Sequence, residues 1–204
     1  MVNAARVSYA KWKEEWDNRD KTLLEYLSVN NHWSPFTHAV VQFRVSASIA
    51  VARQLWKTHV GIVADEPKGW NEMSRRYVSE APTFDLPEVW RSAPGKGQSK
   101  QGSGEGLAFT RQRRINAKVE ALMEMVEETY NYILQQYAAP EQARLVLPMA
   151  TVTEWIWTGS LYAFIRICKE RLASDAQEET RVVAKAIRDR LHERFPYSVK
   201  AWEL

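Results

Sequence analysis

Strict alternation marks one stretch of the chain, "VVQFRVSAS", where Val41, Phe43, Val45 and Ala47 oppose Gln42, Arg44 and Ser46. A period of two sends successive side chains to opposite faces, so this stretch predicts a half-exposed strand. Elsewhere the apolar residues recur at three and four, the spacing of one helical face. "KTLLEYLSVN" places Leu23, Leu24 and Leu27 together, ahead of a polar, proline-containing "NNHWSPFTH" suited to a turn. "SIAVARQLWKTH" predicts a helix with Ile49, Ala52 and Trp56 on the apolar side and Gln54, Lys57 and Thr58 on or near the other, where they can point at a ligand.

The longest periodic run lies between Arg114 and Tyr137, with Ile115, Val119, Leu122, Met123, Val126, Tyr130, Ile133, Leu134 and Tyr137 on the apolar side. "APEQARLVLP" begins with a proline placed for a first helical turn and stops before another, which predicts a short helix carrying Arg144. β-Branched and aromatic residues make "MATVTEWIWT" a strand, and "GSLYAFIRICKERL" returns to helical spacing. Ser174 and Gln177 have the spacing of a capping box for a last helix that buries Val183, Ile187 and Leu191. Two segments break the pattern: "VGIVADEPKG", read as a loop, and "SAPGKGQSKQGSGEG", whose Gly, Ser and Lys cannot bury apolar area. The sum is an α+β fold, helix-rich with a small central sheet, in one domain with a flexible loop at about 92–110.

Composition narrows the setting. A chain of 204 residues that is 45% hydrophobic suffices for one domain with a real core. A net charge of +3 suits small anions rather than duplex nucleic acid, which is not an expected partner. One cysteine, Cys168, excludes an intrachain disulfide and fits a reducing cytosol. The N-terminus has no signal-peptide core and no run approaches the ~20 apolar residues of a membrane span, so a cytoplasmic protein is expected. Of the histidines only His32 and His38 lie near one another in sequence, and no metal site is expected. Cys168, in "FIRICKE", reads as a packed residue rather than a nucleophile.

Candidate chemistry concentrates in "GWNEMSRRYVSE". Arg75 and Arg76, with Arg144 and Arg171 elsewhere, stand where loops and helix ends expose guanidinium forks, which match phosphate oxygens. Ser74 adds a neutral donor, while Glu72 and Gln54 supply the acceptor and amide needed to read a pyrimidine edge. A surface ion-pair network is the alternative for the same residues.

Four ordered blocks, "AARVSY", "HWSPFTH" leading to "VARQLWKTHVG", "NEMSRRY", and "ARLVLP" through "WTGSLYAFIRICKERLASDAQEETR", resemble the flavin-dependent thymidylate synthases (ThyX) over nearly the whole chain. The family signature is Arg-His-Arg, a spacer, then Asn-Glu-x-Ser-x-Arg, and its second half stands here as Asn71, Glu72, Ser74 and Arg76. The resemblance implies a dUMP site, with Ser74, Arg75 and Arg76 at the phosphate, Glu72 near the nucleoside, Gln54 and Arg144 as further contacts, and Arg171 holding the uracil as the catalytic arginine. It implies conversion of dUMP to dTMP without a nucleophilic cysteine, with methylenetetrahydrofolate as carbon donor and hydride from FAD reduced by NADPH. A homotetramer is also implied.

Ser8, His32 and Ser34 keep the family pattern beside the flavin. The signature's first half departs: Lys57, Thr58 and His59 stand for Arg-His-Arg, and a longer spacer, "VGIVADEPKGW", follows. Ser160, Tyr162, Arg166 and Asp175 replace residues that in many members are Asn, Arg, Asn and His near the flavin, and Arg166 and Asp175 are kept as flavin-site candidates. The pattern is similar to phage-encoded members, which implies a bacterial cell, phage-infected where the gene is the phage's own. Two alternatives remain open. One is hydroxymethylation of dUMP, with water intercepting the methylene intermediate; the other is a nucleotide- or single-strand-binding protein that has lost flavin chemistry.

Overall fold

The computed structural model describes residues 1–58, 69–78, 80–95 and 102–204. Among them are α1 (Val2–Arg6), α2 (Asn18–Val29), β1 (Val40–Ser48), α3 (Ile49–Trp56), β2 (Trp70–Glu72), α4 (Phe109–Gln135), α5 (Pro140–Ala143), β3 (Val152–Ser160), α6 (Leu161–Arg171), α7 (Glu178–Arg194) and α8 (Pro196–Ala201). Short 3₁₀ turns follow α1, precede β1 and continue α5. The strands form one sheet in the order β1-β3-β2. The result is the helix-rich α+β fold with a small sheet that the periodicities predict.

Two compact units divide the chain. The first comprises Met1–Arg44, Trp56–Trp70 and Ile156–Leu204. Its core is built on α6, where Leu161, Phe164, Ile165, Ile167 and Cys168 are fully buried, and on α7, which contributes Ala184, Ile187 and Leu191. Ser160 caps α6, its hydroxyl accepting the Ala163 N–H at 3.1 Å. The aromatic residues stack into this core rather than standing alone: Phe43 and Trp157 both meet Phe164 edge-on, at 4.9 and 5.1 Å between centroids. Buried aliphatic positions at three- and four-residue spacing are what fix these helices.

The second unit comprises Val45–Leu55 and Asn71–Trp155. Val45, Ala47, Val51, Ala52, Leu55, Met123, Tyr130, Ala143 and Trp155 are its buried apolar residues. Backbone pairing ties it down, with the Ile49 and Ala50 N–H groups donating to the Thr151 and Met149 carbonyls at 2.9 and 3.0 Å. The segment read as a surface loop is paired near its base, Ser92 N–H to Glu105 C=O at 2.8 Å and Leu107 N–H to Trp90 C=O at 2.8 Å.

Four local expectations need correction. On α3 the buried face is Val51, Ala52 and Leu55, so Trp56 is 47% exposed and Thr58, placed on the polar side from sequence, is buried. Spacing outweighs size here, because the wide indole falls one position past the buried stripe. The Ser174 capping box does not form: α7 starts at Glu178 with Gln177 at its N-cap and no side-chain cap, while residues 173–176 close a separate turn through Ala176 N–H to Ala173 C=O. A true capping box sits instead at the start of α2, between Asp17 and Asp20. Finally, α4 begins earlier and ends earlier than the run from Arg114 to Tyr137, leaving Leu122 half-exposed and Tyr137 almost fully exposed with a positive φ of 62° just beyond the helix.

Candidate functional site

The polar stretch that opens at Gly69 is placed by β2. Gly69 has φ +51°, and a Cβ there would sit 2.1 Å from the Thr158 carbonyl oxygen, so no side chain fits. Its own carbonyl accepts the Thr158 N–H at 2.8 Å, and Trp70 packs edge-on against Trp157. Further on, the Met73 N–H donates to the Glu154 carbonyl at 2.8 Å, and Glu72 Oε1 accepts the Thr153 hydroxyl at 2.8 Å. Thr153 is buried, so the carboxylate of Glu72 is oriented from beneath by β3.

Past β2 the chain turns on Ser74, whose carbonyl accepts the N–H groups of Tyr77 and Val78 at 3.0 and 3.2 Å. The Ser74 hydroxyl accepts from the Arg76 backbone N–H at 3.3 Å and from Arg76 Nε at 3.4 Å, leaving its own proton to donate outward. Arg76 lies over the Tyr77 ring, 5.0 Å from its centroid. Arg75 donates from Nη1 to the Glu80 carbonyl at 2.7 Å, while its buried Nε finds no hydrogen-bond partner. Such a donor is unsatisfied at a cost and stands ready for an acceptor from outside. Arg144 is exposed and anchored only by Nε to the Glu141 carbonyl at 3.3 Å. These residues and Gln54, half-buried on α3, all belong to the second unit.

Arg171, the remaining arginine of the predicted set, belongs to the first unit, at the last turn of α6. It is partly buried rather than exposed, and its Nε is likewise buried without a partner. In the same unit, Ser8, His32 and Ser34 come together around one cavity of about 380 Å³. Arg6, Tyr9 and Tyr26 join them, with Ala4, Ala5, Leu23 and Leu27 as apolar wall. Sequence reasoning missed Arg6 and the two tyrosines; "AARVSY" carries a signal for Arg6 and Tyr9, while Tyr26, within "KTLLEYLSVN", has none beyond helical spacing.

Among the described residues, the other flavin-site candidates do not line that cavity. Lys57 is exposed, Thr58 is buried, and Asp175 is exposed. Arg166 projects from α6 beside Glu170, 3.9 Å away. His59 lies outside the described residues. Two of the unusual positions acquire structural work in this chain. Ser160 is the α6 cap described above, and Tyr162 stacks on Trp33 at 5.8 Å and contacts Trp202 at 5.1 Å. Cys168 is fully buried, its Sγ 3.6 Å from the Ala184 carbonyl, and burial pushes the thiol up to about 12. No nucleophile is available there.

A family described as "Thymidylate synthase complementing protein" matches residues 1–197. The chain belongs to it. Among named flavin-dependent thymidylate synthases, that of Thermus thermophilus is 34% identical over 207 residues, covering 100% of this chain and 70% of the relative. That of Thermosipho africanus is 32% identical, covering 98% and 84%. A UMP/dUMP methylase from Streptomyces cacaoi, crystallised with 5-Br dUMP, superposes with a TM-score of 0.85 at 26% identity, covering 99% of this chain and 88% of that one. The same methylase with 5-Br UMP gives 0.84 at 25% identity, covering 99% and 87%.

For this thymidylate synthase family member, the flavin question becomes one of fit. The cavity around Ser8, His32 and Ser34 is of the size of ordinary ligand sites, with a guanidinium, two hydroxyls, an imidazole and two phenols set in apolar wall. Flat rings and hydroxyl-bearing chains need that mixture, so the residues fit part of a flavin cofactor. Among the described residues, no cluster of three or more His, Cys, Asp or Glu could hold a metal ion, and no helix is long and apolar enough to cross a membrane.

Proposed function

We propose that this protein is a single-domain flavin-dependent thymidylate synthase that converts dUMP to dTMP, with methylenetetrahydrofolate as carbon donor and NADPH as reductant. The observation that carries the reading is the turn at Ser74, where the Glu80 carbonyl holds the Arg75 guanidinium and the Ser74 hydroxyl holds that of Arg76, while both guanidinium groups and the hydroxyl proton keep donors for an anion. FAD, when bound, supplies the hydride.

The chain's own residues bind and orient. Ser74, Arg75 and Arg76 hold the phosphate of dUMP, with Arg144 as a further cation. Glu72, oriented by Thr153, and Gln54 read the nucleoside. Arg171 meets the uracil, and its positive charge stabilises negative charge that develops on the ring, a role in which a pre-placed donor outperforms water. Ser8, His32 and Ser34 line the flavin cavity; Lys57, Thr58, His59, Arg166 and Asp175 complete the flavin contacts. A homotetramer is part of this reading. Because Cys168 is buried and protonated, activation of dUMP proceeds without a protein thiolate.

The test is the visible spectrum of the full-length protein titrated with FAD and then dUMP, followed by mass spectrometry of the nucleotide product. A bound-flavin spectrum that changes with dUMP, and a product carrying a methyl group, are expected. A product heavier by one oxygen overturns methylation in favour of hydroxymethylation. Absence of flavin uptake overturns the enzyme reading altogether.

A further inference from the structure

The wall of the cavity that carries Ala4, Ala5, Arg6, Ser8 and Tyr9 has few buried apolar residues of its own: α1 contains none. What ties it to the opposite wall on α2 is a carboxylate. Asp20, in the first turn of α2, is 1% exposed. Its Oδ1 takes a hydrogen bond from Arg6 Nη2, and its Oδ2 takes one from Lys13 Nζ at 2.8 Å and one from the Asp17 backbone N–H at 2.7 Å. Lys13 also pairs with Asp17 at 2.8 Å, and its carbonyl accepts Asn3 Nδ2 at 2.7 Å. The other fork nitrogen of Arg6 reaches Asn3 Oδ1 at 3.4 Å. One buried acid thus gathers α1, the segment after it and α2, and sets the one guanidinium that lines the cavity.

We propose that Asp20 is a positioning residue for the cofactor cavity, acting through Arg6. The proposal rests on the reading of that cavity as the flavin site. Asp20 acts on the cavity only through its partners: it pairs with Arg6 and so sets the wall of residues 4–9 across the cavity from Leu23, Tyr26 and Leu27. A guanidinium so fixed meets a phosphate or ring carbonyl with no ordering left to do, whereas a loosened one has to be ordered by the ligand.

Asp20→Asn is the direct variant: it keeps the shape, removes the charge and turns one acceptor into a donor facing cations. FAD affinity is measured by quenching of flavin fluorescence, dUMP affinity by calorimetry, and folding by thermal melting, all on the full chain. Weakening of FAD by tenfold or more, with dUMP affinity unchanged within about twofold, is expected, since six of the seven proposed dUMP residues lie in the other unit. Arg6→Lys keeps the charge facing Asp20 but loses the fork, and it should weaken FAD by an intermediate factor in a folded protein. Unchanged FAD affinity in both variants overturns the proposal. So does parallel loss of FAD and dUMP affinity in both with a collapsed melting transition, which would make Asp20 a residue of general stability. Ala5→Leu, which fills the cavity, separates this from the underlying reading: if it leaves FAD binding intact the flavin assignment is wrong, and if it blocks binding while the two other variants do not, only the positioning role fails.

Discussion

The turn at Ser74 and the node at Asp20 use charged groups in opposite ways. At Asp20 each strong charge is matched within the chain: the acid faces Arg6 and Lys13, and Lys13 also faces Asp17. At Ser74 two adjacent arginines are steered by neutral partners, a serine hydroxyl and the Glu80 carbonyl, with no carboxylate among the described residues bonded to either. Closed charge sets build structure, because a buried ion left without its partner is expensive. Guanidinium groups held only by neutral oxygens keep their full charge for an anion that arrives later. The same side-chain chemistry therefore separates scaffold from binding surface.

That contrast is broken most severely at the open set. Arg76→Ala or Arg171→Ala should lower kcat/KM for dUMP by roughly 10²- to 10³-fold with little change in melting temperature, as expected for donors aimed at a ligand. A variant that loses stability and keeps turnover would place these arginines with the scaffold.

Gly69 sharpens the contrast next. Gly69→Ala must relieve a contact of 2.1 Å with the Thr158 carbonyl at a positive φ, so destabilisation of roughly 1–3 kcal/mol in urea unfolding is expected. Weaker dUMP binding should accompany it, because the turn at Ser74 hangs from β2. Unaltered stability would show that the strand tolerates the shift.

The closed set answers to acid. Burial alone raises the pKa of Asp20, but the bonds from Lys13, the Asp17 amide and Arg6 outweigh it and hold the carboxyl below the usual carboxylate range. A depressed folded-state value means stability that is present above about pH 4, the unfolded value, and is lost as pH falls through the folded one. Asp20→Asn should start lower at pH 7 and lose less across that acid range, measured by chemical denaturation at stepped pH. Parallel pH curves for the two proteins would refute the assignment.

The smallest effect belongs to the α6 cap. Ser160→Ala removes one acceptor for the Ala163 N–H and should cost about 1 kcal/mol, read as a lower melting temperature with unchanged nucleotide affinity.

Much of this fold is legible in the sequence. The alternation from Val40 to Ser48 fixed that strand, because a single buried face leaves one register. The linear motif at Asn71 to Arg76 was readable for the same reason that it is compact: its residues are neighbours in sequence. The Asp20 node was not, since Arg6 lies 14 positions away and Lys13 seven, and no local pattern joins them. The burial of Thr58, two residues past the end of α3, has no hydropathic signal, while the nearby Trp56 has a large one. The cavity, too, is assembled from α1, α2 and the turn before β1, each unremarkable alone.

Cys168 has one more consequence. With its thiol pushed up to about 12, only about 10⁻⁵ of it is thiolate at pH 7 even before access is considered. It lies on α6 against the Ala184 carbonyl of α7 and is fully buried, so an alkylating reagent reaches it only when the packing around α6 opens. The sole sulfhydryl of the chain is thus a built-in clock for opening of the first unit: the rate at which reagent is consumed under native conditions reports how often that core breathes.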